Sequence, residues 1–259
     1  MYRTAVLILL CVCYVTPLVA GSQAGGKPQF ALEEIAAFSK KVERTAAGKG
    51  ARVFLVSRVG RPPEELPEGI SFTHVGLAVY SSIRTDDGEA LRGYSMYNLY
   101  QKDDNPEGSV LAQDFPVDFF AGAYELKAGI AIPTPKLQRR LLELIEKDGH
   151  LELHNPRYSV LSNPFDVRYQ NCAEYVLDVI NSVLYQTKDK EQLKVNARAY
   201  FQPYKVKMSG LKLALGAIFM PEFTMADHGE GPVHTVIYTA LADYLEQYGL
   251  LQEKLVVEL

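Results

Sequence analysis

The stretch Tyr169-Gln170-Asn171-Cys172-Ala173-Glu174-Tyr175 reads as a chain entering a helix. Asn171 has the short polar side chain of an N-cap, and Glu174 falls three positions later, the spacing of a capping box. From Cys172 onward, Tyr175, Val176, Val179, Ile180 and Val183 recur on one face, so the helix presents an apolar stripe to a core. Cys172 then sits in the first turn, where unpaired backbone N–H groups and the positive end of the macrodipole favour an anion. Both effects make the thiol easier to ionise, and the same N–H groups suit the oxyanion of a tetrahedral intermediate. A buried structural thiol is the commoner fate of a lone cysteine; a place at the helix start argues for a nucleophile instead.

A nucleophilic thiol needs a proton acceptor, and the run Thr73-His74-Val75-Gly76-Leu77-Ala78-Val79-Tyr80 offers one. Side chains alternate along a strand, so Val75, Leu77 and Val79 form one face and His74, Gly76 and Ala78 the other. The small residues on the histidine's face would let a helix pack closely, which is where the Cys172 helix is expected. A second β-rich run, Gly93 to Gln101, follows a polar turn around Asp86-Asp87-Gly88, and the two read as an antiparallel hairpin. With that turn as centre, His74 pairs near Asn98, and Tyr94, Met96, Asn98 and Tyr100 share its face. Asn98 is the residue whose amide oxygen suits an imidazole N–H. A bulge would move the choice to Tyr100 or Gln101. An amide that only satisfies strand-end backbone is the plain alternative.

Around these elements the pattern is mixed. Helices are expected over Ala31 to Ala47, from Thr134-Pro135 to Gly149, and over Thr235 to Tyr248; strands are expected over Ala51 to Val56 and Tyr124 to Ile132. His154 to Tyr169 reads as a long loop, Thr187 to Tyr204 as polar and irregular, and Asp114 to Phe120 as an acidic-aromatic loop used for packing, with a cleft wall as the alternative. His150, Glu152 and His154 have metal-like spacing if they lie on a strand, but no third histidine or cysteine is near, so no metal or other cofactor is expected. His228 and His234 flank a glycine-rich loop and are expected at the surface.

The 259 residues carry a formal net charge of -4, and no basic stripe stands out, so nucleic acid is not an expected partner. Residues 1–24 read as a secretory signal peptide, with an uncleaved anchor as the competing reading: Arg3, an apolar stretch to Ala20, then Ser22-Gln23-Ala24. Cys11 and Cys13 would leave with that leader, so the mature chain would hold one thiol and no internal disulfide. Residues 25–259 read as a single α+β domain, exported to the periplasm; the apolar segment Leu211 to Phe219 would suit a lipid or acyl chain but reads rather as a core element, which leaves membrane association open and unsupported.

Together, His74-Val75-Gly76 and Asn171-Cys172-Ala173-Glu174 resemble the circularly permuted branch of the NlpC-type papain-like superfamily, which includes lecithin:retinol acyltransferase-like proteins. The longer run of motifs is similar to domain-of-unknown-function family 2145. That run comprises the His74 strand, Tyr97-Asn98-Leu99-Tyr100-Gln101, Gln113-Asp114-Phe115-Pro116-Val117-Asp118-Phe119-Phe120, and Asn163-Pro164-Phe165 with Tyr169 to Cys172. The resemblance implies a papain-like antiparallel sheet packed on a helix that carries the cysteine at its N-terminus. It also implies a thiol nucleophile at Cys172, a base at His74 and a third polar residue on the next strand, consistent with Asn98. The acyltransferase branch usually has a second histidine at that third place, which this chain lacks. The expected activity is therefore hydrolysis of an amide or peptide bond in the cell envelope, on a peptide or isopeptide substrate. Hydrolysis or acyl transfer on a lipid ester is the alternative, and a non-catalytic binding or assembly module of the same fold is the rival class.

Overall fold

The structure, a computed structural model, describes residues 28–84, 90–207 and 223–259. The leader expected over 1–24, the hairpin turn at 86–88 and the apolar segment 211–219 lie outside those residues. Six strands form one antiparallel sheet in the order β4-β3-β2-β1-β5-β8: β1 Val53–Val59, β2 His74–Arg84, β3 Ala90–Gln101, β4 Ser109–Asp114, β5 Glu125–Pro133 and β8 Leu251–Glu258. Two-residue strands β6 (Tyr204–Lys205) and β7 (His234–Thr235) pair separately. The chain is thus α+β with an antiparallel sheet.

Helices cover both faces of the sheet. On one lie α1 (Leu32–Gly48) and α2 (Pro116–Ala121), whose Phe38, Phe119 and Phe120 pack with Phe54, Val56, Ala78 and Met96. On the other lie α3 (Pro135–Glu146), α4 (Cys172–Tyr185), α5 (Lys190–Tyr200) and α6 (Tyr238–Gln247), which pack with Val53, Leu55, Val75, Leu77 and Val79. A strand covered on both faces must be apolar on both, and β1 is buried at every position.

This layering corrects one expectation. The Cys172 helix packs on the Val75-Leu77-Val79 face, while His74, Gly76 and Ala78 face α1 and α2. Small residues did not mark the face of the Cys172 helix; Gly76 makes room for the Asn98 side chain of β3. Three further elements differ from the sequence reading. The segment read as irregular contains α5, whose inward face amounts to Leu193, Lys194 and Ala197, too thin a stripe to show as periodicity. The acidic-aromatic loop is the end of β4 followed by α2, with Pro116 at the first helical position. The carboxy-terminal Leu251–Glu258 is an edge strand on β5, and its charged residues are the kind that protect a sheet edge.

Candidate functional site

Cys172 is the first residue of α4, and Asn171 caps the helix by accepting from the Glu174 N–H at 2.8 Å. The Asn171 amide also donates to the Val160 carbonyl and the Thr235 hydroxyl, both at 3.0 Å, so the cap fixes the helix start to the long loop and to β7. The reciprocal half of a capping box is absent. Glu174 instead turns inward to Lys194 at 2.6 Å. The long loop itself is ordered by its own amides: Asn155 donates to the Val167 carbonyl and Gln170 to the Leu153 carbonyl and Asp178. It is a frame for the helix start.

His74 opens β2 directly opposite Arg58 on β1, and both are buried. Extending the β2–β3 register places Tyr100 across from His74 and Asn98 one rung further in, across from Gly76. The imidazole stacks on the Tyr100 ring at 4.8 Å and lies 5.3 Å from the Phe119 ring of α2. A Cβ at Gly76 would overlap the Asn98 amide oxygen, so the glycine creates the space in which Asn98 reaches His74. Parity therefore holds as expected from the sequence, with a register two residues away from the one centred on the turn. By strict distance and angle neither imidazole nitrogen nor the Asn98 oxygen has a hydrogen-bond partner among the described residues. They face one another, and Asn98 lies close enough to favour the protonated ring.

The electrostatics of this corner are set by burial and by Arg58. Desolvation, and then the Arg58 cation, hold His74 well below its ordinary 6.5, so the imidazole is neutral at neutral pH. Arg58 is only 3% exposed, donates to the Phe119 carbonyl, and lies over the Phe119 and Tyr100 rings. Burial lowers its pKa, opposed by Tyr100, Asp114 and the Cys172 sulfur. Gly122 makes the guanidinium's seat, since a Cβ there would meet it at 2.9 Å. Asp114 accepts from both Asn98 and Tyr100, and burial raises it from 3.8 to about 6.

Cys172, 6% exposed, and His74 approach from opposite sheet faces, yet both line a cavity of about 560 Å³ at the end of β2. Asn171, Thr73 and Ala173 complete that wall, while Ile70, Phe72, Val160, Val236 and Tyr238 make much of the remainder apolar. Cys172 and His74 are thus brought to one cavity, and Asn98 is brought to His74. Arg58 and Asp114 were missed from sequence. Arg58 is hidden in the apolar run Val53–Val59, where only its neighbours' burial signals a buried cation; Asp114 sits in a segment read as packing or a cleft wall, with no role given to the carboxylate.

The remaining histidines lie apart from this corner. His150 packs on Tyr97 and His154 meets the Ser109 hydroxyl, on a 3-10 turn (Gly149–Leu153) and its end, so the strand that would align them does not form. The His228 side chain is buried against the Leu161 carbonyl at 2.6 Å, contrary to its expected surface position; His234 is partly buried on β7. Among the described residues no group of three or more His, Cys, Asp and Glu is arranged to hold a metal, and no helix is long and apolar enough to cross a membrane.

No curated protein and no solved structure matches this chain. A family defined as an uncharacterized protein conserved in bacteria, domain of unknown function 2145, matches residues 45–245, a span holding Arg58, His74, Asn98, Asp114 and Cys172. The chain belongs to that family.

Proposed function

We propose that this protein is an exported thiol hydrolase of papain-like type that acts on an acyl carbonyl in the cell envelope, an amide or peptide bond in the first instance. The observation that carries the reading is a cysteine at a capped helix start, opening on a cavity that a buried neutral histidine also lines. The helix N-terminus favours the sulfur's anion, and the neutral imidazole accepts a proton. In this reaction the Cys172 sulfur bonds to the carbonyl carbon while its proton passes to His74. His74 then protonates the departing amine as the C–N bond breaks. Water enters, gives a proton back to His74 and releases the acid from sulfur. Asn98 holds the ring, and the Cys172 N–H faces the oxyanion. The His74 strand preceding the Cys172 helix supports the permuted papain-like order.

The second reading is a binding or assembly module of the same fold. It is favoured by His74 itself, which is packed against two aromatic rings and strongly desolvated. Iodoacetamide labelling of the native protein near neutral pH separates the two. The hydrolase reading expects labelling of Cys172 that slows by about tenfold or more in His74→Ala, the scale of a lost general base. A thiol that stays inert until denaturation establishes the module. A panel of amide and ester substrates, with Cys172→Ala as blank, then distinguishes an amidase from a lipid esterase.

A further inference from the structure

Asp114 ends β4 on the sheet face that carries Met96, Asn98 and Tyr100, and its two oxygens are divided between neighbours of His74. The Asn98 amide nitrogen donates to Oδ1 at 2.8 Å, and the Tyr100 hydroxyl donates to Oδ2 at 2.9 Å. An ionised carboxylate only accepts, so it determines which end of the Asn98 amide turns toward it. The nitrogen is committed to Asp114, and the oxygen is left facing the imidazole. The same carboxylate anchors Tyr100, on whose ring the imidazole lies at 16° from parallel.

We propose that Asp114 is a positioning residue for His74: by gripping Asn98 and Tyr100 at once, it fixes the tautomer and the plane of the imidazole. The buried, unpaired Asn98 oxygen and imidazole nitrogens are the observation that points the same way, since they are polar atoms with each other as the nearest use. A small ring rotation on substrate binding would close that bond, as catalytic hydrogen bonds often tighten only in the complex. The proposal rests on the reading of His74 as proton carrier. Asp114 acts through Asn98 and Tyr100. The other charged groups acting on it are Asp118 from α2 and Arg58 from β1, and Arg58 in turn feels Cys172 from α4.

The test is nitrogen NMR of histidine-labelled native protein, with the His74 ring signals assigned by their loss in His74→Gln, beside the rate of Cys172 alkylation. Wild type is expected to show one tautomer at His74. Asp114→Ala is expected to show a mixture and about a tenfold slower His74-dependent alkylation. Asp114→Asn, whose amide oxygen still accepts from Asn98, is expected to keep the single tautomer and most of the rate. Unchanged His74 ring signals in a folded Asp114→Ala protein overturn the proposal. Should that variant not fold, Asn98→Ala takes its place, and an unchanged ring there overturns it equally. If His74→Ala leaves alkylation unchanged, the hydrolase reading fails, while the ring signals still decide whether Asp114 positions His74.

Discussion

Gly76 is the smallest residue in the candidate site and among the least replaceable. Its missing side chain is the space occupied by the Asn98 amide, in a strand buried on both faces where neither backbone nor neighbour has room to retreat. Gly76→Ala is expected to destabilise the protein by about 1–3 kcal/mol, the cost of overpacking a core. It should also push Asn98 away from His74. Urea unfolding measures the first effect, and the His74 ring signals measure the second; an alanine that leaves both unchanged would show that Asn98 sits elsewhere. His74, Asn98 and Cys172 could be singled out because their chemistry is rare at such positions. Arg58 could not, because a basic residue in a strand is usually a solvated one, and only the seat formed by Gly122, Phe119 and Tyr100 explains how this one is buried.

At the scale of elements, α4 and α5 are joined by a buried charge cluster. Lys194 donates to Glu174 at 2.6 Å and to both oxygens of Asp178 at 2.9 and 2.8 Å, and Gln170 adds a bond to Asp178 at 2.7 Å. Burial pushes the Glu174 carboxyl up against the pull of Lys194; burial would lower Lys194, but the two carboxyls hold it above its ordinary value. One cation faces two acids, so charge balance favours a proton on Glu174. Removing the cation leaves the acids buried without compensation, and Lys194→Met is expected to cost about 3–5 kcal/mol. Because Glu174 lies on the turn that presents Cys172, this loss should also speed local opening at the helix start, visible as faster amide exchange at Ala173 to Tyr175. A Tm within about 1 °C of wild type, far less than such a loss implies, would sink this account. The cluster also shows why α5 escaped the sequence: Lys194 is one of the three residues of its inward face, and a charged residue counts as outward in any periodicity.

For the whole molecule, pH acts through groups that folding has moved in opposite directions. Asp114 is raised from 3.8 to about 6, so the stability it contributes is complete below about 4 and lost as pH rises through 6. His74 is lowered by burial and by Arg58, so its contribution is present above 6.5 and lost as pH falls. Between pH 4 and 6 the two slopes oppose each other. In Asp114→Asn only the histidine slope remains, and the Tm of the variant minus that of wild type is expected to grow from pH 4 to 6 and level off above 7. A difference independent of pH would place the Asp114 carboxyl in contact with solvent.

The residues alone determined the α+β class, the hairpin, the parity that puts Asn98 on the histidine's face, and the capped helix that begins at Cys172. All of these are local: alternation, helical spacing and capping act within a few residues of chain. Only the tertiary structure decided which sheet face receives that helix, that a second helical layer covers the histidine, and that Arg58 and Asp114 join the same corner. Those outcomes depend on contacts between strands distant in sequence, and a pattern that alternates apolar and small residues is compatible with a helix on either side until the other elements have taken their places.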